Sequence, residues 1–241
     1  MIGAIPTVSL AADSHEDWRG IYAGASLGLS KNDADLGVTT QYTQNYFVNQ
    51  DHGQIKSAGT HAFKPTDLNG SVFAGNNWQS GNWVYGLEAS VTFENFDEER
   101  NTPYTTYISA PAQSFRMDTS VVSYWNAKLQ PRLGYAQKRS LFYVEAGPAL
   151  TQIQYDLTFQ DKAVNNEYTH ISTNDFALGW SAGFGLEHKL KDNWSIKSGL
   201  SFTSFDNAVR ANSNLKNYAD GLKHDLDYSI INFQVGLVKR F

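Results

Sequence analysis

The sequence predicts an all-β chain folded as an eight-stranded antiparallel transmembrane β-barrel, with short periplasmic turns and four long extracellular loops. Three observations predict it. Apolar residues recur at every second position in eight segments, the period of a strand. The opposite face of those segments is reduced to Gly, Ser and a few polar residues, and the connections alternate strictly between short and long.

The strands follow in order. In WRGIYAGASLGLS, Ile21, Ala23, Ala25, Leu27 and Leu29 share one face, against Tyr22, Gly24, Ser26, Gly28 and Ser30. DLNGSVFAGNNWQ is the weakest, because Asn76 interrupts the face of Val72, Ala74 and Trp78. WVYGLEASVTFE sets Trp83, Tyr85, Leu87, Ala89, Val91 and Phe93 against Gly86, Glu88, Ser90 and Glu94. In VVSYWNAKLQPRLGY, Val121, Trp125, Ala127, Leu129 and Leu133 oppose Tyr124, Asn126, Lys128 and Arg132. LFYVEAGPALTQ comes next. In FALGWSAGFGLEH, Phe176, Leu178, Trp180, Phe184 and Leu186 face away from Gly179, Ser181, Gly183 and Gly185. NWSIKSGLSFTS and YSIINFQVGLVKRF complete the eight.

Tight turns are expected near Gly81, Lys138 and Asp192, and long polar loops over 31–66, 95–119, 155–173 and 206–225. Lipid forces every backbone group to pair internally, and a closed ring of strands leaves no edge. The bulky face therefore meets lipid, and the small face lines a narrow interior. Trp78, Trp83, Tyr135, Trp194 and Phe241 fall near the short turns, and Phe93, Trp125, Phe176, Trp180 and Phe205 towards the loops, as two aromatic girdles. The alternative, a soluble barrel with its apolar face inward, would expose rows of Gly and overfill the lumen.

Composition agrees. The 241 residues carry 14% aromatics, no Cys and a formal charge of −5 without a basic patch, which argues against a nucleic-acid partner. Mean hydropathy is −0.43, and no apolar run is long enough for a transmembrane helix. Residues 1–12 read as the remnant of a secretory signal, with a plain unstructured terminus as the alternative, and 13–241 as a single barrel domain.

The segments DWRGIYAGASLG, NWQSGNWVYGLEAS, GWSAGFGLEHKLKDNWSIKSG and the closing VGLVKRF resemble the small outer-membrane β-barrel family, which includes OmpA-like barrels and alphaproteobacterial major surface antigens, some of them haemin-binding. The resemblance covers strands and turns from Trp18 to Phe241. It departs at Lys239, where an aromatic is usual, and at Asn76, where Tyr is typical. It implies the outer membrane of a Gram-negative bacterium, contact with outer-membrane lipid and lipopolysaccharide, and a terminal Phe241 read by the insertion machinery. The expected function is a structural anchor for envelope integrity, with exposed loops for adhesion or antigenic display. A haemin-binding receptor and a small-solute porin are the alternatives.

Candidate sites are few. His170, Ser172 and Glu187 would be a catalytic trio only if they met, and one extended strand separates Glu187 from the other two, so no enzyme is expected. His52, His61, His170 and His224, with Tyr42, Tyr46, Tyr104, Tyr107, Tyr168 and Tyr218, are haem-ligand types in the loops, without ligand spacing. In the lumen, Glu88, Glu94, Glu145 and Glu187 are expected to pair with Lys128, Arg132, Lys197 and Arg240, because isolated buried charges are costly. For Glu94 and Arg240, near strand ends, solvent at the barrel mouths is the alternative.

Overall fold

The computed structural model describes residues 16–41, 46–162 and 167–241; the signal segment and Tyr42 lie outside them. The elements are β1 Gly20–Gln41, α1 Asn49–Gly59, β2 His61–Phe63, β3 Thr66–Ser80, β4 Trp83–Asn101, β5 Thr105–Thr106, β6 Ser114–Gln137, β7 Ser140–Asp161, β8 Tyr168–Lys189, β9 Trp194–Asn214 and β10 Gly221–Arg240. Eight long antiparallel strands form the ring β1-β3-β4-β6-β7-β8-β9-β10, and β10 pairs back onto β1 from Tyr22↔Arg240 to Gln41↔Gly221. The Phe241 N–H donates to the carbonyl of Ile21 at 2.9 Å, fastening the last residue to the first strand.

Through the lower part of every strand the bulky face points outward. On β8 the exposed run from Phe176 to Leu186 includes Leu178, 76% exposed, and its length matches the 9–11 residues that a tilted strand needs to cross a bilayer. The stripped face is explained by what lies opposite. A Cβ on Gly75 would come within 2.5 Å of the Tyr22 ring, and one on Gly185 within 2.3 Å of the Tyr143 hydroxyl. Both tyrosines fill the lumen, and the strands that pass them must carry hydrogen there.

Most of the expected long loops are strand instead. β1 runs to Gln41, β4 to Asn101, β7 to Asp161 and β9 to Asn214, and the ring rises as a wall beyond the apolar band. The alternation continues but changes sign. On β7 the outward Phe142, Val144 and Leu150 give way to Gln152, Gln154, Asp156 and Thr158, while the inward face changes from Glu145, Gly147 and Thr151 to Ile153, Tyr155, Leu157 and Phe159. On β10 the outward Ile231, Phe233, Val235 and Leu237 follow Lys223, Asp225, Asp227 and Ser229, with Leu222, Leu226, Tyr228 and Ile230 inside. Above the band the surroundings are water, so apolar side chains turn into a core and polar ones turn out. The discarded soluble-barrel alternative thus describes the outer half, and the membrane barrel describes the inner half.

Three local departures have visible causes. A bulge between Val122 and Asn126 shifts parity, which turns Val121 inward and Tyr124 outward, the reverse of the sequence expectation. Phe205 is buried in the outer core and is no girdle residue. Beyond it, Asp206, Asn207 and Ala208 stand opposite Asp227 alone, with Asn207 at φ 52° and its N–H donating to the Asp227 carboxylate at 2.6 Å. This bulge coincides with the end of β8–β9 pairing at Trp180↔Ser204, and on the other side β3–β4 pairing ends at Gly70↔Phe93, so the outer wall divides into two sheets, β9-β10-β1-β2 and β4-β6-β7-β8. Asn76 sits outward opposite Ile21 and Leu87 without breaking the β3 register.

Candidate functional site

Two interiors contain the polar chemistry of the molecule. The first is the lumen within the apolar band. Arg132, on β6, is fully buried and lies 3.4 Å from Glu88, 3.6 Å from Glu145 and 3.6 Å from Glu187. Lys197 reaches Glu88 at 2.5 and 2.7 Å, and Arg240 reaches Glu187 at 3.2 Å. Tyr22 joins the set: its hydroxyl donates to Glu88 at 2.9 Å and accepts from Arg132 at 3.2 Å. The Arg132 guanidinium also stacks over the Tyr143 ring at 3.7 Å. The charges are legible in the strand alternation, whereas the part of Tyr22 and Tyr143 in this network is not, although both stand on inward positions of their strands.

Lys128 differs. It borders a lumen cavity of about 40 Å3, room for a few waters, and makes no ion pair among the described residues. Glu94 and Arg240 are buried, which corrects the solvent alternative for both. Glu94 accepts from Asn126 at 3.1 Å and from Tyr228 at 3.4 Å. At the inner rim, the outward Lys239 donates to the carbonyl of Asp192 at 2.7 Å beside the Trp194 ring, so its stem covers apolar surface while its ammonium reaches the polar turn.

The second interior is the outer cap. Buried carboxylates hold it together through neutral donors: Asp220 accepts from the N–H groups of Tyr46 at 2.9 Å and Phe47 at 3.0 Å, Glu167 accepts from Asn217, and Asp51 accepts from Ser109. Asp161 accepts from the hydroxyls of Tyr107, at 2.7 Å, and Tyr46. The α1 helix lies over this core with Ile55 buried.

The four histidines do not converge. His52 contacts Thr40, His61 contacts the carbonyl of Gly59 at 3.0 Å, and His170, outward on β8, contacts Thr158 of β7 at 3.0 Å. His224 is buried above the band, with Tyr155 on Nδ1 and Ser213 on Nε2, both at 2.9 Å, so neither nitrogen is left for iron. No cluster of three metal-ligand side chains occurs among the described residues. Ser172 shares the outward face with His170, whereas Glu187 lies in the lumen at the other end of the strand.

Burial pushes the His224 imidazole down to about 4, against a weak opposing pull from Asp225. The unfolded group titrates near 6.5, so the outer half is expected to keep full stability above that pH and to lose it as pH falls towards 4. Limited proteolysis from pH 7.5 to 4.5 should show cleavage of the outer hairpins rising through this window in the wild type and flat in His224→Gln. Equal slopes for the two proteins would remove His224 as the cause.

The profile of the family described as "Outer membrane protein beta-barrel domain" matches residues 2–241. The chain belongs to this outer-membrane β-barrel family. The family chain is 27% identical over 187 residues to the 31 kDa outer-membrane immunogenic protein of Brucella melitensis, covering 77% of this chain and 70% of that one. To the 25 kDa outer-membrane immunogenic protein of the same species it is 25% identical over 227 residues, covering 93% and 79%. A 22 kDa outer membrane protein of Rhizobium leguminosarum is 24% identical over 136 residues, covering 56% of this chain and 52% of that one. Among solved structures, the outer membrane protein OprG of Pseudomonas aeruginosa superimposes with a TM-score of 0.50 at 12% identity, covering 92% of this chain and 98% of that one, a likeness of fold. This outer-membrane barrel is thus placed in the envelope of a Gram-negative bacterium with its apolar band in lipid.

Proposed function

We propose that the protein is a structural anchor for envelope integrity that displays its outer half as a surface for adhesion or antigenic interaction. The observation that carries this is the filling of both interiors: an ion-paired lumen below and an apolar core above leave a rigid platform rather than a channel. The names of the Brucella relatives, as immunogenic proteins, support display. Lipid and lipopolysaccharide surround the band in this reading, and the insertion machinery reads the terminal strand ending in Phe241. Catalysis has no support in the geometry, since His170 and Ser172 face outward and Glu187 is spent on Arg132 and Arg240. Haemin binding would have to use the cap or a surface histidine, because His224 is fully engaged.

The test is electrical. Folded protein in a planar bilayer is expected to give no sustained stepwise current, because the charged groups cross the lumen. Stable conductance steps of porin size would replace the anchor reading with the small-solute porin.

A further inference from the structure

The outer cap contains a pocket of about 170 Å3 lined by aromatic rings and carboxylates, with Val48, Ser109 and Gln113 completing the lining. The rings are Tyr46, Phe47, Tyr107 and Tyr218, with Tyr46 and Tyr218 4.7 Å apart between centroids and Tyr46 and Phe47 5.3 Å apart and edge-to-face. The carboxylates are Asp51 and Asp161, both buried. Among the described residues no lysine or arginine lines it. The hydroxyls of Tyr46 and Tyr107 donate to the same oxygen of Asp161, which fixes both rings. Burial first, and Asp161 second, hold these phenols far above the ordinary tyrosine range, so they remain donors.

Charge points the same way. The segments above the band, 31–67, 95–122, 152–175 and 206–227, contain sixteen Asp and Glu against nine Lys and Arg, a balance of −7, while the eight lumen charges cancel. A cleft in a low-dielectric wall with a field of one sign concentrates ligands of the opposite sign.

We propose that this pocket binds a small organic cation of the alkylammonium class. Ring faces attract a weakly hydrated ammonium through their quadrupoles, and two nearby carboxylates neutralise it without the strong dehydration that a bare metal ion would need. A phosphocholine-type headgroup and a free choline-like solute share this chemistry. The proposal goes beyond surface display in naming a ligand, and it rests on that reading only for the pocket's access to the exterior.

The experiment titrates the folded full-length protein in detergent, at low and moderate salt, with choline, with glycerophosphocholine and with 3,3-dimethylbutan-1-ol, the neutral carbon analogue of choline, followed calorimetrically. Saturable choline binding is expected, about tenfold tighter than the neutral alcohol. Tyr218→Ala should weaken it by about tenfold, whereas Tyr218→Phe, which keeps the ring, should leave it nearly unchanged. Heat-dependent gel mobility verifies that each variant is folded. Glycerophosphocholine binding more tightly than choline assigns a headgroup; the reverse order assigns a free solute. No saturable cation binding, or equal binding of the neutral alcohol, overturns the proposal. Because the assay needs no membrane orientation, that failure would leave the display reading standing for the conductance test.

Discussion

Arg132→Met is expected to destabilise the folded barrel by about 3–5 kcal/mol, the cost of removing one partner from a buried charge set. The guanidinium stands among Glu88, Glu145 and Glu187 with no exposed side-chain surface, and its loss leaves three carboxylates to Lys197 and Arg240. Glu187 and Glu88 each retain a cation, but Glu145 retains no ion pair among the described residues. Adding Glu145→Gln should therefore recover part of the loss, a coupling that a double-mutant cycle reads directly. Urea titration in lipid vesicles, followed by tryptophan fluorescence, supplies the free energies. A cost under about 1 kcal/mol would mean that lumen water solvates these carboxylates well enough to make the arginine dispensable.

Leu129→Arg is expected to cost about 2–4 kcal/mol, because Leu129 points outward near the middle of the apolar band. Gln154→Arg, outward on β7 above the band, should cost about 0–1 kcal/mol. The same substitution on the same outer face thus has two expected costs, set by depth alone. Equal costs in the vesicle titration would place both residues in one environment and remove the boundary drawn between them.

Much of the inner half was legible in the sequence because lipid imposes one rule on every strand there. Apolar residues at alternate positions and Gly or Ser between them identified the strands, their faces and the lumen charges, down to Glu88, Arg132 and Lys197. The outer half was misread as loops for the same reason. In 152–161, QIQYDLTFQD, the alternation is intact but sits on the opposite parity, with Ile153, Tyr155, Leu157 and Phe159 inward. A search for apolar-outward strands ends where water replaces lipid, and residues such as Asp33, Asp35, Asp225 and Asp227 then look like loop polarity when they are the wet face of a cored wall. Parity shifts were invisible for another reason. The bulge beside Tyr124 and the left-handed Asn207 are consequences of cross-strand register, which a single strand's pattern does not contain. The cap pocket was out of reach too, since Tyr46, Tyr107 and Tyr218 are far apart in the chain and meet only in the folded cap, where Asp161 holds Tyr46 and Tyr107 and the Tyr218 ring packs against Tyr46.

Polarity reverses along β7 and β10, and a cysteine scan of their outward faces tests this two-environment barrel most directly. The chain has no cysteine, so single substitutions along the outward faces of β7 and β10 can carry an environment-sensitive fluorophore without background labelling. In lipid vesicles, labels at 142, 144, 146 and 150 and at 231, 233, 235 and 237 should emit as in hydrocarbon and be quenched by spin-labelled lipid. Labels at 152, 154, 156 and 158 and at 223, 225, 227 and 229 should emit as in water and be quenched by iodide, with the changeover between 150 and 152 on β7 and between 229 and 231 on β10. Hydrocarbon-like emission continuing through 156 and 225, or water-like emission already at 144 and 235, would contradict the two-environment barrel.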